Sequence, residues 1–350
     1  MIELYAMNEQ FMIIGVIDNF SSLQWNTRYY GVGDFEIHCS RKLLDLLGKS
    51  TYIFREDSNY TGIITNLCLS DNDLYIKGRF LEFFLERRVL DKPRAYVGLA
   101  EDAMRTIVRD ICINNNERKI ERLALGERRG IGGQIELCRE SKSLQSLFTE
   151  LCIQQGISYN LRYDWFLDKI FFEVFEGLDR TQDQNINQWC IFSKNFENVL
   201  REKYEVCREE KTVAYVAGNY KYGDITERVY QIVETPGGAR NEVFVDARDI
   251  HQTEGQSQSG YKNLLKQRGL EKLADYSAVH SVACDIDPTR TMKFGLGDVC
   301  DYINEEVGIR AKLRVTEILE TVEDPPVPLR IIIGREKPTQ IKALERKLTT

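Results

Sequence analysis

The strongest constraint on this chain is a unit that it carries twice. Residues 60–79, "YTGIITNLCLSDNDLYIKGR", read as two strands around a polar turn, and residues 312–335, "KLRVTEILETVEDPPVPLRIIIGR", read the same way; both close on Gly-Arg. In the first copy Ile63, Thr65, Leu67 and Leu69 alternate onto one face, and Leu74 and Ile76 resume the alternation after "SDND". Asp, Asn and Ser bond to nearby backbone and tolerate turn geometry. Upstream, "YYGVGDFEIHC" (29–39) and "KFGLGDVCDYI" (293–303) share aromatic-Gly-x-Gly-Asp leading into a strand. Gly33 to Gly78 spans 45 residues and Gly297 to Gly334 spans 37. These pairings predict an α+β, mainly β chain with two similar small β-barrel domains and an inserted α+β module.

The first barrel is expected over residues 1–92. "FMIIGVI" (11–17) reads as a buried strand and "DFEIHCS" as a half-buried one, with "LLDLLG" (43–48) and "FLEFFLERRV" (80–89) as helices. The α+β module is expected over 93–176. In it "YVGLAEDAMRTIVRDIC" sets Val97, Ala100, Met104, Ile107, Val108 and Ile111 at helical spacing. A second helix starts at an N-cap Ser143 and stops at Gly156, and a hairpin follows in which Ile157, Tyr159, Leu161 and Tyr163 alternate. The second barrel is expected over 177–256 and 277–336, with a helical insertion at 257–276. Strands near 203–233 fit either the second barrel or completion of the first. Residues 337–350 form a basic tail whose Ile341, Leu344 and Leu348 space as a narrow helical stripe.

Composition narrows the function classes. With 47 basic and 54 acidic residues the net charge is −7, which argues against a general nucleic-acid binder. The longest apolar run near the start has seven residues, against ~20 for a bilayer span. The acidic N-terminus has its first basic residue at Arg28, unlike a secretory signal, so folding in a cytosol is expected. Nine cysteines lie scattered without a C-x-x-C pair, and read as buried structural thiols rather than a zinc or disulfide framework.

No catalytic pattern stands out. The three histidines, His38, His251 and His280, are far apart, and neither HExxH nor a P-loop is present; "GQSQSG" (255–260) has the wrong spacing for a nucleophile elbow. His280 and Cys284 on one strand stand some 13 Å apart, too far for a nucleophile–base pair. "GERRGIGG" (126–133), with Arg128 and Arg129, reads as a loop rather than a phosphate cradle, lacking a strand-to-helix context. Acid pairs Glu101-Asp102 and Glu323-Asp324 could serve as glycosidase carboxylates, but such pairs arise freely among 54 acidic residues, and the strand-end carboxylates of "DARD" (246–249) read as caps or salt-bridge partners. No residue is assigned a catalytic, cofactor-binding or metal-binding role, no cofactor is expected, and the chain is read as not an enzyme.

The ordered series "GDFEI", "FREDSNYTGIIT", "IKGRFLEFFLERRV", "VGLAEDAMRTIVRD", "GLDRT", "CIFSKNFENV", "EVFVDARDI" and "GLGDVCDYIN" resembles the siphophage tail-tip or baseplate hub family, from about residue 10 to 335. The resemblance implies a homotrimer with two similar barrels per subunit. Six barrels then form a ring that continues a sixfold tail tube while imposing threefold symmetry below. It implies a place in the virion at the distal tail, after assembly in the host cytoplasm. The implied partners are further copies of itself, the distal tail protein or tail tube ring, the tape-measure protein and tail fibre or receptor-binding proteins, with DNA only in transit. Hub relatives often continue into a lytic or fibre-like region. This chain stops about fifteen residues after Gly334, so lytic activity is expected on another polypeptide. The competing readings are a tail-associated peptidoglycan or glycan hydrolase and a receptor-binding module, the latter suggested by seventeen tyrosines and three tryptophans.

Overall fold

The computed structural model describes residues 2–70, 73–92, 94–139, 142–207, 211–221, 224–236, 239–252, 255–275, 279–287 and 292–334. The 337–350 tail and Arg335 lie outside these. The first eighty residues supply β1 (Leu4–Met7), β2 (Ile13–Ile17), β3 (Phe20–Arg28), β4 (Asp34–Cys39), a short helix α1 (Leu44–Gly48), β5 (Tyr52–Arg55), β6 (Gly62–Leu69) and β7 (Leu74–Phe80). They pair antiparallel in the order β3-β4-β7-β6-β5-β1-β2. Strict alternation in β4 and β7 puts Phe35, Ile37, Leu74, Ile76 and Phe80 into one core with Leu23, Trp25 and Ile53. Gly78 is needed for this packing: a Cβ there would stand 2.4 Å from the Phe35 ring.

Three expectations fail in this region. "FMIIGVI" is not a buried strand: β2 is the last strand of its sheet, with Met12, Ile14 and Val16 exposed. The supposed common face of Ile63, Thr65, Leu67 and Leu69 is broken by a bulge at Thr65, since Ile64 pairs with Gly78 but Asn66 with Lys77. Ile63 therefore packs into a second core, while Ile64 and Leu67 pack into the first. Residues 81–85 form a 3-10 helix rather than a long α-helix.

That second core belongs to an α+β unit. It contains β8 (Arg94–Leu99), α2 (Ala100–Val108), which runs on as a π-turn to Ile113, β9 (Leu123–Leu125), β10 (Gln134–Arg139), α3 (Leu144–Gln155), β11 (Ser158–Asp164) and β12 (Lys169–Phe175). The α2 stripe is buried from Ala100 to Ile111, but Val97 lies in β8 and is exposed. Helix α3 begins as its sequence dictates, with the Ser143 hydroxyl accepting from Ser146 N, and ends at Gly156 in the left-handed region.

The remaining residues form β13 (Ile191–Phe192), β14 (Val199–Cys207), β15 (Val213–Lys221), β16 (Asp224–Glu234), β17 (Glu242–Asp246), α4 (Gln258–Asp275), β18 (Val279–Ile286), β19 (Val299–Asn304), β20 (Ile309–Glu323) and β21 (Leu329–Gly334). Strands 213–246 complete neither expected barrel. They form their own sheet, β16-β15-β17, and Ala214, Val216, Val233 and Val245 pack beneath Tyr261 and Leu265 of α4. The insertion is thus a sheet–helix unit rather than a helix alone. Strand β14 joins the second half of the main sheet, in the order β14-β18-β21-β20-β19.

Five strands of each half correspond one to one. The chain order β3, β4, β5, β6, β7 and sheet order β3-β4-β7-β6-β5 match β14, β18, β19, β20, β21 and β14-β18-β21-β20-β19. The bulges match too. Thr65 is skipped between Ile64 and Asn66 as Thr316 is between Val315 and Glu317, and the break between Phe20 and Ser22 mirrors that between Val199 and Arg201. Each bulged threonine turns its hydroxyl across the hairpin: Thr65 donates to Lys77 O at 3.3 Å, while Thr316 lies 3.2 Å from the matching Ile332 O and closer, at 2.6 Å, to Gly334 O. On this register Gly78 faces the place of Ile333, so the two Gly-Arg pairs are offset by one residue. The Gly-x-Gly-Asp motifs are not equivalent either: one leads into β4, the second strand of its module, the other into β19, the third. The duplication is real at the level of strand order, and two of the motifs that suggested it are coincident.

Neither half closes into a barrel among the described residues. Instead β3 pairs antiparallel with β20, Ser22–Arg28 against Glu317–Glu323, so the two modules share one continuous open sheet.

Candidate assembly interface

The residues with catalytic potential are committed to holding the fold. Glu101 is fully buried and its carboxylate accepts from Arg129 N at 2.9 Å and Ile131 N at 3.0 Å. A carboxylate therefore already occupies two amides of the "GERRGIGG" loop, which gives them no reason to hold a phosphate. Asp102 takes a two-pronged bond from Arg128, which holds its carboxyl below the usual range. In "DARD", Asp246 pairs with Arg248 and Asp249 with Arg268. Glu323 accepts from Ser22 Oγ at 2.6 Å, and Ser257 Oγ accepts from Gly260 N at the start of α4. Cys284 is buried, and burial pushes its thiol up to about 12, away from a nucleophile's range; the side chain of His280 lies outside the described residues. His38 sits between Glu36 and Asp73 at 2.9 and 2.8 Å. Among the described residues no His, Cys, Asp and Glu cluster of three or more could hold a metal ion, and no helix is long and apolar enough to cross a membrane.

A groove of about 450 Å³ runs between the two modules and the α+β unit, lined in part by Arg55, Asp57, Asn160, Glu173 and Glu320. Its carboxylates are tied to arginines: Glu320 to Arg55 at 2.7 Å, Asp57 to Arg55 at 2.6 Å, and Glu173 to Arg162 at 3.0 Å. A glycosidase acid needs a carboxyl with a raised pKa. Burial does raise Glu82, to about 7, but it is 2% exposed and accepts from Leu161 N at 3.0 Å beneath the α+β unit.

The most densely bonded point between units of the fold is the joint between modules. Tyr29, 1% exposed, stands at the end of β3. Its N–H donates to Thr316 O at 2.8 Å in the second module. Its hydroxyl donates to Gly156 O at 2.9 Å, and its carbonyl accepts from Ser158 Oγ at 2.5 Å, both in the α+β unit. The Arg314 guanidinium lies 5.1 Å over its ring. Burial raises the phenol pKa, against the opposing pull of Arg314. Across the β3–β20 seam, Asn26 Nδ2 donates to Glu317 Oε1 at 2.6 Å, and Arg55 reaches Glu320. In the sequence Tyr29 only precedes Tyr30, the aromatic of "YGVGD"; nothing local signals its role, because its hydrogen-bond partners are all distant in the chain.

Comparison with known proteins places this arrangement. Residues 1–335 match the family model described as "Siphovirus ReqiPepy6 Gp37-like protein". Among solved structures, a tail protein from Neisseria meningitidis MC58 aligns with TM-score 0.58 and 14% identity, covering 96% of this chain and 97% of that one. Prophage tail protein gp18 from Listeria monocytogenes EGD-e gives 0.56 and 11%, covering 99% and 98%. The 43 kDa tail protein of prophage MuSo2 from Shewanella oneidensis gives 0.54 and 12%, covering 95% and 96%. No curated protein matches the sequence.

Proposed function

The chain belongs to the siphovirus ReqiPepy6 Gp37-like protein family, and from that premise we propose that it is a structural hub of a phage tail tip or baseplate. In this reading three subunits form a ring and present six sheet modules. The ring continues a sixfold tail tube on one side and sets threefold symmetry on the other. The observation that carries the reading is the pair of modules with one strand order, the same two bulges and an edge-to-edge seam. A subunit with two equivalent modules meets a sixfold neighbour with only three copies, because module rather than chain is the repeating object.

The two modules play the part of the barrels in such a ring, each needing its neighbour to cover an edge. The α+β unit, held to the seam by Tyr29, and the inserted sheet with α4 stand as peripheral decorations. The virion's distal tail is the proposed location. The tube or distal tail protein, the tape-measure protein and fibre or receptor-binding proteins are the proposed partners. The role is structural rather than enzymatic, which the arginine-bound carboxylates support.

Native mass spectrometry tests the proposal. The expected mass is three times the 40.6 kDa of the chain. A stable monomer at high micromolar concentration, or clearing of a peptidoglycan suspension by the purified protein, overturns it.

A further inference from the structure

The correspondence between modules singles out two strand edges, at β14 and β6, that pair with no strand among the described residues. In the chain, the first strand of one module (β3) pairs with the fourth strand of the other (β20). The converse pair is β14, the first strand of the second module, and β6, the fourth strand of the first. Strand β14 pairs only with β18 among the described residues, leaving its outer edge open. Strand β6 pairs with β5 only through Gly62 and Ile63, so its edge from Thr65 to Leu69 is open. The matching segment of β20 is the one that β3 covers. Even the last bond before the open stretch is shared: Ile64 N donates to Thr51 O at 2.9 Å, and Val315 N to Asp298 O at 2.8 Å.

We propose that the β14 edge of one subunit pairs antiparallel with the β6 edge of a second copy, closing a ring of three. The pairing puts Glu205 opposite Cys68, Tyr204 opposite Leu69 and Lys203 opposite Ser70 of that copy. This deepens the hub reading and rests on it, adding the strands and the register of the contact. The register follows from the two bulges. They make Asn26 equivalent to Glu205 through its pairing by way of Asp34 and Ser281, and Leu319 equivalent to Cys68. Asn26 stands opposite Leu319 in the seam within the chain.

Side-chain chemistry supports the same register independently. Within the chain the Asn26 amide donates to the Glu317 carboxylate across the seam. The equivalent positions between copies carry Glu205 and Asn66, the same amide and carboxylate with their strands exchanged. Both residues are exposed in the single subunit, as are Lys203 and Leu69. Open edges carry unpaired N–H and C=O groups that template pairing with another strand. Two open edges of complementary identity on one chain make a head-to-tail contact, and three repeats of a 120° step close it.

The test uses the native Cys68, which is free and half-buried. Residues directly opposite on paired strands have Cβ atoms about 4.5–5.5 Å apart, close to disulfide geometry. Full-length Glu205→Cys protein is oxidised mildly and run on non-reducing denaturing gels. Linked dimer and trimer are expected, vanishing on reduction and in the Glu205→Cys/Cys68→Ser double variant. Arg201→Cys, out of register with Cys68, should link at less than a tenth of that yield. Lys203→Cys/Ser70→Cys in a Cys68→Ser background provides a second in-register pair if Glu205→Cys is poorly folded. A trimer by native mass with neither pair linking overturns the edge pairing and leaves the ring standing. A monomer that never links overturns both, and a ladder running past trimer overturns the closure at three.

Discussion

Tyr29 has its N–H, carbonyl and hydroxyl committed to residues 316, 158 and 156, so one residue couples three units of the fold. Removing the hydroxyl in Tyr29→Phe leaves the Gly156 carbonyl without that donor, a loss of about 1–2 kcal/mol. Tyr29→Ala also opens a cavity and should cost about 3–5 kcal/mol; denaturant unfolding measures both. Gly297 lies beneath the ring at φ +94°, where a Cβ would stand 2.3 Å from it. Gly297→Ala should therefore destabilise more than Gly156→Ala, whose added Cβ meets nothing nearer than 3.5 Å. Glu82 supplies a pH dependence. Its folded pKa, about 7, lies above the usual 4.5 because burial penalises the charged form. The folded state then holds the proton more tightly than the unfolded chain. Stability from this group is present below pH 4.5 and is lost as pH rises towards 7, by on the order of 3 kcal/mol. Glu82→Gln should flatten that slope in melting temperature against pH; an unchanged slope places its origin elsewhere.

Among the elements, β6 shows best what the sequence revealed and what it hid. Its apolar positions and the polar turn after it predicted a hairpin, and the hairpin forms. The faces were misread because a bulge is a single skipped residue that no alternation pattern marks, and Thr65 looks like any strand threonine. A consequence follows for substitutions. Ile63→Asp buries a charge in the core shared with the α+β unit and Leu67→Asp one beside the first module's core, whereas Thr65→Asp is exposed and gives up only the 3.3 Å bond to Lys77 O. The first two should lower the melting temperature by well over 5 °C, from a penalty of several kcal/mol, and the third should leave it nearly unchanged. Helix α3, with Ser143 and Gly156 at its ends, was fully legible because capping is local chemistry. The 213–246 strands join neither of the two barrels their sequence left open, because their partner, α4, lies across a loop and their alternation says nothing about which sheet they join. The candidate interface was legible only as a suspected duplication; the seam and its free counterparts depend on register, which is set by long-range pairing.

At the scale of the whole molecule, the proposed ring makes one chain, with its two equivalent modules and matching open edges at β14 and β6, a third of a larger object. Joining copies through those edges turns an open sheet into a closed circuit in which seams within and between chains alternate. Single-particle cryo-electron microscopy of the purified protein, viewed down the ring axis, tests this most directly. Three subunits contributing six alike sheet modules around a central channel, with strands continuous across every seam, are expected. A particle whose two modules lie at different radii, or whose β14 and β6 edges face solvent in the assembled state, contradicts it.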